Sequence, residues 1–254
     1  MGKLGLKATL HPVHQLSSEQ KRQMYDLFCH YYENHTFEQF LKDLSEKNDV
    51  ILLQEKMTNT IQGFSTILKK EITVENKKTW AVFSGDTVLN KEFWGSPALG
   101  IQFLIYLWKL KIKCITRPVY WFLISKGYKT YLLMANNFSE HYPRYEKPTP
   151  AFEKKLMLDF YGSKFSETYL PEKDLIQPLG HSCKLKISVA DISFELLKNP
   201  RILFFQNHNP DWQKGSELCC IAKMSLFLPI HYALKKLFKR KQAWASKKMS
   251  QQTS

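Results

Sequence analysis

The chain has 254 residues, of which 44% are hydrophobic and 24% charged; this suits one large or two small globular domains and excludes a mostly disordered chain. Ten glycines and eleven prolines exclude collagen-like and linker-dominated architectures, and five cysteines without zinc-ligand spacing indicate neither a disulfide framework nor a metal site. The net charge of +14 points to an anionic partner: nucleic acid, phospholipid or a phosphate-rich cofactor. Eight of those charges are basic residues after Glu217, the last acid, so the body is mildly basic and the C-terminal segment is a separate electrostatic object.

In chain order, residues 1–16 read as a lead-in strand. The first six residues lack an apolar stretch of signal-peptide length, and the odd cysteine count suits a reducing compartment, so the expected location is cytoplasmic. Ser17-Ser18-Glu19-Gln20 reads as a helix start, followed by the amphipathic stripe Met24, Leu27, Phe28 and Tyr31. Thr36 opens a second short helix carrying Phe37, Phe40, Leu41 and Leu44. Strands are expected at residues 50–54, 61–68 and 79–89, joined by polar links that suit antiparallel hairpins. Gly85 inside the third strand marks a bulge or a close backbone approach.

Residues 90–96 form a loop. Ser96 and Pro97 then start a helix that runs to Ile112 and is apolar almost all round. Residues 119–125 are a fully apolar strand, residues 128–137 a helix, residues 141–150 a proline-punctuated loop and residues 152–160 a helix. Residues 161–185 read as loop-rich, residues 189–197 as a helix ending at Asn199-Pro200, residues 202–205 as a helical turn or strand, and residues 217–224 as a strand. Within that last run Cys219 and Cys220 are expected to be buried thiols.

The informative segment is the strand, loop and helix over residues 79–110. A strand with a central glycine feeds a loop that ends on a helix N-terminus, where unpaired N–H groups and the positive dipole end suit a diphosphate. In this order of elements the chain resembles the GNAT acyltransferase superfamily over about residues 8–160. The run Val88-Leu89-Asn90-Lys91-Glu92-Phe93-Trp94-Gly95-Ser96-Pro97-Ala98 looks like the family's fourth strand end and diphosphate loop, and residues 119–124 look like its fifth strand. Residues 125–145 further resemble a bacterial GNAT-like group that carries a C-terminal extension.

The resemblance implies an α/β GNAT-like acyl-CoA N-acyltransferase fold, a mixed twisted sheet flanked by helices. It divides the chain into a core (1–160), an extension packed on it (161–224) and a basic amphipathic tail (225–254). It also implies acetyl-CoA or a longer acyl-CoA as cosubstrate, bound along Thr87, Val88 and Leu89 and over Gly95, Ser96 and Ala98. The acceptor is left open; a carboxylate on the fourth strand, Asp86, and a tyrosine after the fifth, Tyr142, serve as base and acid. The loop departs from the family pattern. Trp94 stands where Arg or Gln is usual, and Pro97 and Leu99 replace two glycines. Pro97 has no N–H to donate. A non-catalytic GNAT-like binding protein with a degenerate loop is therefore the alternative.

From Ile230, apolar residues recur at Ala233, Leu234, Leu237 and Phe238, with Lys235, Lys236, Lys239, Arg240 and Lys241 between them. A basic amphipathic helix of this kind packs on its own domain or docks on an anionic membrane, here through residues 230–248. Nucleic acid is disfavoured because no binding motif accompanies the charge. The apolar run over residues 218–234 is interrupted by Lys223, Pro229 and His231, and no transmembrane span is expected there.

Overall fold

The computed structural model describes residues 5–33, 35–178, 184–185 and 192–230. The expected tail beyond Ile230 lies outside the described residues, as do residues 189–191 of the helix expected over residues 189–197; the described part, residues 192–197, is not α-helical and holds only a turn and the start of the 3-10 helix Leu196–Lys198.

Strand β1 (Leu6–Pro12) leads into α1 (Ser18–Cys29). Ser17 caps this helix by accepting from the Gln20 N–H, while the Gln20 side chain accepts from the Ser17 N–H, a reciprocal capping box. After the two-residue strand β2 (Tyr32–Glu33), Thr36 caps α2 (Phe37–Ser45) by accepting from the Gln39 N–H. Three long strands follow: β3 (Asp49–Glu55), β4 (Ile61–Val74) and β5 (Lys77–Leu89). The β4–β5 hairpin is longer than the polar residues 69–78 suggest. Ile72 and Val74 are buried and Thr73 is exposed, so period-two alternation carries the strand to a tight turn at Glu75-Asn76, both at positive φ.

Next come α3 (Ala98–Lys113), β6 (Val119–Ser125), α4 (Tyr128–Asn137), the short β7 (His141–Tyr142) and α5 (Ala151–Lys164). Short strands β8 (Tyr169–Leu170), β9 (Leu175–Ile176) and β10 (Lys184–Leu185) precede α6 (Pro200–His208) and β11 (Glu217–Lys223). Asn199-Pro200 opens α6 rather than closing a helix: the Asn199 side chain accepts from the Arg201 N–H, and Pro200 occupies the first turn, where no N–H is required.

The main sheet runs β1-β3-β4-β5-β6-β11-β9-β8, with β7 also on β11; β2 and β10 form a separate pair. All described pairings are antiparallel except β5 with β6, which is parallel and spanned by the α3 crossover. Strand β11 comes from the expected C-terminal extension, yet it is built into the sheet between β6 and β9 instead of packing on its surface. Its Cys219 and Cys220 are fully buried free thiols, as expected.

Helices cover both faces. On β3, Ile51 and Leu53 join the cluster under α3, α4 and α6, while Val50 and Leu52 join the cluster under α1 and α2. On β5, Val82 faces the first cluster, and Ala81 and Phe83 face a third under α5. Central strands buried on both faces read as continuous apolar runs, which is why residues 50–53 and 119–124 are so apolar. The chain is thus a mixed sheet flanked by helices, the layering that the resemblance implies.

Candidate active site

Strands β5 and β6 pair from Trp80↔Val119 to Ser84↔Leu123 and then part. The parting has a local cause in the sequence. Opposite Ser65–Ile67 of β4, β5 spends an extra residue, so the register shifts from Ser84 to Thr87 and leaves a bulge at Gly85-Asp86. Glycine suits position 85, because a Cβ would stand 2.5 Å from Thr66 Oγ1 and 3.1 Å from Lys47 Cε and would force those side chains or the strand to shift. On β6, pairing with β11 continues to Ser125, so β6 stays with its other neighbour where its pairing with β5 ends. The result is a strand edge over residues 85–89 that borders a cleft of about 870 Å³.

The floor and one wall of the cleft come from Phe83, Gly85, Asp86, Thr87 and Leu89. The facing wall is assembled from distant elements. Phe28, Tyr32 and Phe40 form an aromatic ledge, with Phe28 and Tyr32 stacked at 4.3 Å between ring centroids. Asp43, Glu46 and Lys47 come from α2 and its end, Lys126, Lys129 and Thr130 from the start of α4, Lys164 from α5, and Glu217 from the first position of β11. A more open depression of about 1050 Å³ beside α1 and α2 shares only Lys47 with this cleft and touches neither β5 nor β6.

Charges of both signs meet in the cleft. Lys126 Nζ lies 3.5 Å from Glu217 Oε1, and Glu217 Oε2 is buried with no hydrogen-bond partner among the described residues. Burial raises the Glu217 carboxyl above its ordinary range; Lys126 opposes the shift and Asp86 adds to it. Burial lowers the Lys47 ammonium, and Asp86 opposes that shift. Lys47 Nζ also donates to the Asp43 carbonyl at 2.9 Å. Glu46 is held below the usual carboxylate range by its hydrogen bond from Lys164 at 3.1 Å. Asp86 and Glu217 therefore face a common volume, each within reach of a lysine's field.

Of the site residues named from sequence, Asp86, Thr87, Leu89 and Gly95 line the cleft. Thr87 Oγ1 and Ser65 Oγ share a hydrogen bond of 2.7 Å across the β4–β5 pair. Val88 points to the opposite side and is buried against α1 and α2. Ser96 and Ala98 sit at the α3 entry with their amides engaged: Ser96 N–H donates to the Phe93 carbonyl at 2.9 Å and Ala98 N–H to Ser96 Oγ at 3.4 Å. Gly95 adopts φ +87° with open space around it. The Trp94 indole N–H donates to the Leu89 carbonyl at 2.9 Å, capping the last acceptor of the strand edge.

Tyr142 lies away from the cleft. It belongs to β7, pairs with Ile221 of β11 and is buried in the cluster under α5, because β7 adds to the outer part of the sheet. The other tyrosines after β6 fare the same way: Tyr131 is buried with its hydroxyl donating to the Pro143 carbonyl at 3.1 Å, and Tyr145 is exposed elsewhere. His141 is buried too, its pKa lowered to about 4 by desolvation, with Nδ1 2.8 Å from the Phe138 carbonyl oxygen. Sequence reasoning passed over Glu217. The available signal was an acid at the head of the apolar strand Glu217–Lys223, a position that carries a charge to the end of a buried strand.

No family model matches the chain, and no curated protein matches it. Solved structures similar to part of it include a conserved protein from Enterococcus faecalis described as a probable N-acyltransferase, at 17% identity and a TM-score of 0.39 over 61% of this chain. The overlap spans 43% of that protein's length. Glucosamine-6-phosphate N-acetyltransferase from Arabidopsis thaliana is similar at 16% identity and a TM-score of 0.34, over 46% of this chain and 81% of that one. A GNAT family N-acetyltransferase from Escherichia coli, solved with CoA, is similar at 9% identity and a TM-score of 0.34, over 48% of this chain and 64% of that one.

Proposed function

We propose that the chain is an acyl-CoA-dependent acyltransferase that moves an acyl group onto a nucleophile, an amine in the first instance, in the cleft between β5 and β6. One observation carries the reading: a bulge at Gly85-Asp86 parts two parallel central strands and leaves a backbone edge beside a cleft that holds two carboxylates. An extended ligand rich in amides pairs with such an edge as an added strand, and pantetheine is one. The aromatic ledge of Phe28, Tyr32 and Phe40 suits an apolar acyl chain or acceptor.

The fit to the diphosphate is leaner. Of the four loop amides at Gly95, Ser96, Ala98 and Leu99, those of Ser96 and Ala98 are engaged internally, and Pro97 offers none. Lys129 at the start of α4 lines the same cleft and supplies positive charge from the facing wall. Weak CoA binding follows, because each missing donor costs about 1–3 kcal/mol where a phosphate oxygen is left unpaired.

In this reading the thioester supplies the activated acyl carbon and a thiolate leaving group. Glu217 accepts the proton released as the amine nitrogen attacks that carbon. The carbon–sulfur bond breaks with its electron pair on sulfur, and Glu217 returns a proton to the thiolate, giving an amide and a free thiol. A base with a raised pKa performs both transfers near neutral pH better than an ordinary carboxylate does. Lys126 holds one oxygen of Glu217 and leaves the other, which is buried, without a hydrogen-bond partner among the described residues.

The engaged loop amides and the Trp94 cap on Leu89 favour a second reading, a binding protein that has lost turnover. Calorimetry with acetyl-CoA and longer acyl-CoAs, followed by thiol release against a panel of amines, separates the two. Binding with thiol release supports the enzyme, and binding without release supports the binding protein. No heat with any chain length up to millimolar overturns both.

A further inference from the structure

The outer face of α3 is apolar where a solvated helix would be polar. Ile105, Trp108 and Ile112 recur at i, i+3 and i+7 on the side turned away from the buried Leu99, Phe103 and Leu107, and all three are exposed. Ile115, just past the helix, is 60% exposed. The Trp108 indole N–H donates to the Leu226 carbonyl at 3.2 Å, which ties the segment after β11 to the same face. That segment adds Phe227 and Ile230, 64% and 57% exposed. Together these side chains make an apolar surface of the kind that marks an interaction site.

The charge around the stripe is of one sign. Exposed Lys109 and Lys113 flank it, and Lys111 lies beside it with its ammonium on the carbonyls of Ile115 and Arg117. The sequence has no acidic residue between Glu92 and Glu140, nor any after Glu217. Residues 231–254 carry seven basic residues and no acid in the sequence.

That distribution discriminates between occupants. A second copy placed stripe to stripe would bring Lys109 and Lys113 against their own counterparts. The chain's own C-terminal residues laid along the stripe would bring lysines against the same two. An anionic bilayer neutralises both sets at once and accepts the apolar stripe at the headgroup–acyl boundary.

We propose that the outer face of α3, together with residues 226–230, seats the protein on an anionic lipid bilayer. Trp108 suits the interfacial level, since its ring is apolar and its N–H is already satisfied. The proposal is independent of the chemistry assigned to the cleft.

Co-sedimentation of the full chain with vesicles of phosphatidylcholine, with and without phosphatidylglycerol, tests it at low salt. Binding is expected only to the vesicles that contain phosphatidylglycerol. The pair Ile112→Glu and Ile115→Glu should weaken it at least tenfold, and the pair Lys109→Gln and Lys113→Gln by about fivefold per lysine. All four positions are exposed, and circular dichroism matching the wild type certifies the fold of each variant. Four results overturn the proposal: no binding to phosphatidylglycerol vesicles; equal binding by wild type and both variants, which assigns docking to residues 231–254 alone; a dimer in light scattering that Ile112→Glu abolishes; or retention on duplex DNA that the vesicles do not compete away.

Discussion

The two walls of the cleft are built in opposite ways. The β5 wall is one unbroken stretch of chain, and its offering is backbone: a bulged edge over residues 85–89 whose shape depends on a single glycine. The facing wall draws on α1, α2, α4, α5 and β11, and its offering is side chains, among them Lys47, Lys126, Lys164 and Glu217. Backbone edges recognise any extended amide ligand and are indifferent to most substitutions. Side-chain walls set protonation and choice of acceptor. Binding of the acyl donor and chemistry on the acceptor should therefore respond to different mutations.

Glu217→Gln is the sharpest way to break that division. It should lower acyl transfer by about 10²–10⁴-fold while leaving acyl-CoA affinity within a few-fold, since a general base is lost and the β5 edge is untouched. Its pH profile carries the sign. Glu217 must be ionised to accept a proton, and burial holds its pKa above the ordinary carboxylate range. Activity should then rise with pH through that raised value, and the acidic limb should vanish in Glu217→Gln. Lys126→Met removes the cation that opposes the shift, so the limb should move to still higher pH. Rate against pH in single-turnover thiol release checks all three. A limb unmoved in both variants would assign the proton to another group, with Asp86 next in line.

Gly85→Val tests the other wall and should do the reverse. Its Cβ would meet Thr66 Oγ1 at 2.5 Å, and Thr66 is itself buried on β4. Overpacking of this kind costs about 1–3 kcal/mol of stability. The bulge should straighten, taking acyl-CoA binding with it. A shifted urea midpoint with lost calorimetric heat is the expected pair of results. Gly95→Ala makes the control: φ is +87° there, but nothing lies within 4 Å, so the cost is backbone strain alone, about 1 kcal/mol.

The same contrast explains what the sequence makes legible. The β5 wall is local, so its signals stand together: an apolar strand, an interior glycine and a helix start a few residues on. From them follow the parallel β5–β6 pair, its parting at the C-terminal ends, and the places of Asp86, Thr87, Leu89 and Gly95. The Val88 side chain turns from the cleft for a periodic reason, since neighbours on a strand face opposite sides. The facing wall is not local. Glu217 shares a cleft with Asp86 only because β11 inserts beside β6, a pairing set by tertiary packing of two apolar strands. Tyr142 illustrates the converse: it follows the fifth strand in sequence, yet the β7–β11 pairing carries it into the core under α5. At Asn199-Pro200 the same dipeptide can end one helix or begin another, and the Asn199 cap on Arg201 decides for the second.

Trp94 sits where the two walls come closest in character, a side chain that blocks a backbone acceptor. Its indole N–H holds the Leu89 carbonyl at 2.9 Å, the group that the last amide of an added strand would use. A ligand must displace this bond before it pairs there, and an ordinary hydrogen bond is worth about 0.5–1.5 kcal/mol net. Trp94→Phe removes the donor and keeps a ring against Tyr31, whose centroid lies 6.1 Å away. The loop should therefore hold its shape, and acyl-CoA affinity should rise by up to about tenfold, the equivalent of about 1.4 kcal/mol. Trp94→Ala should gain less, because the ring contact that steadies the loop goes with the donor. Calorimetry of the two variants side by side tells these contributions apart. If Trp94→Phe binds no better than the wild type, the ligand does not use the Leu89 carbonyl, and the added strand must stop short of Leu89.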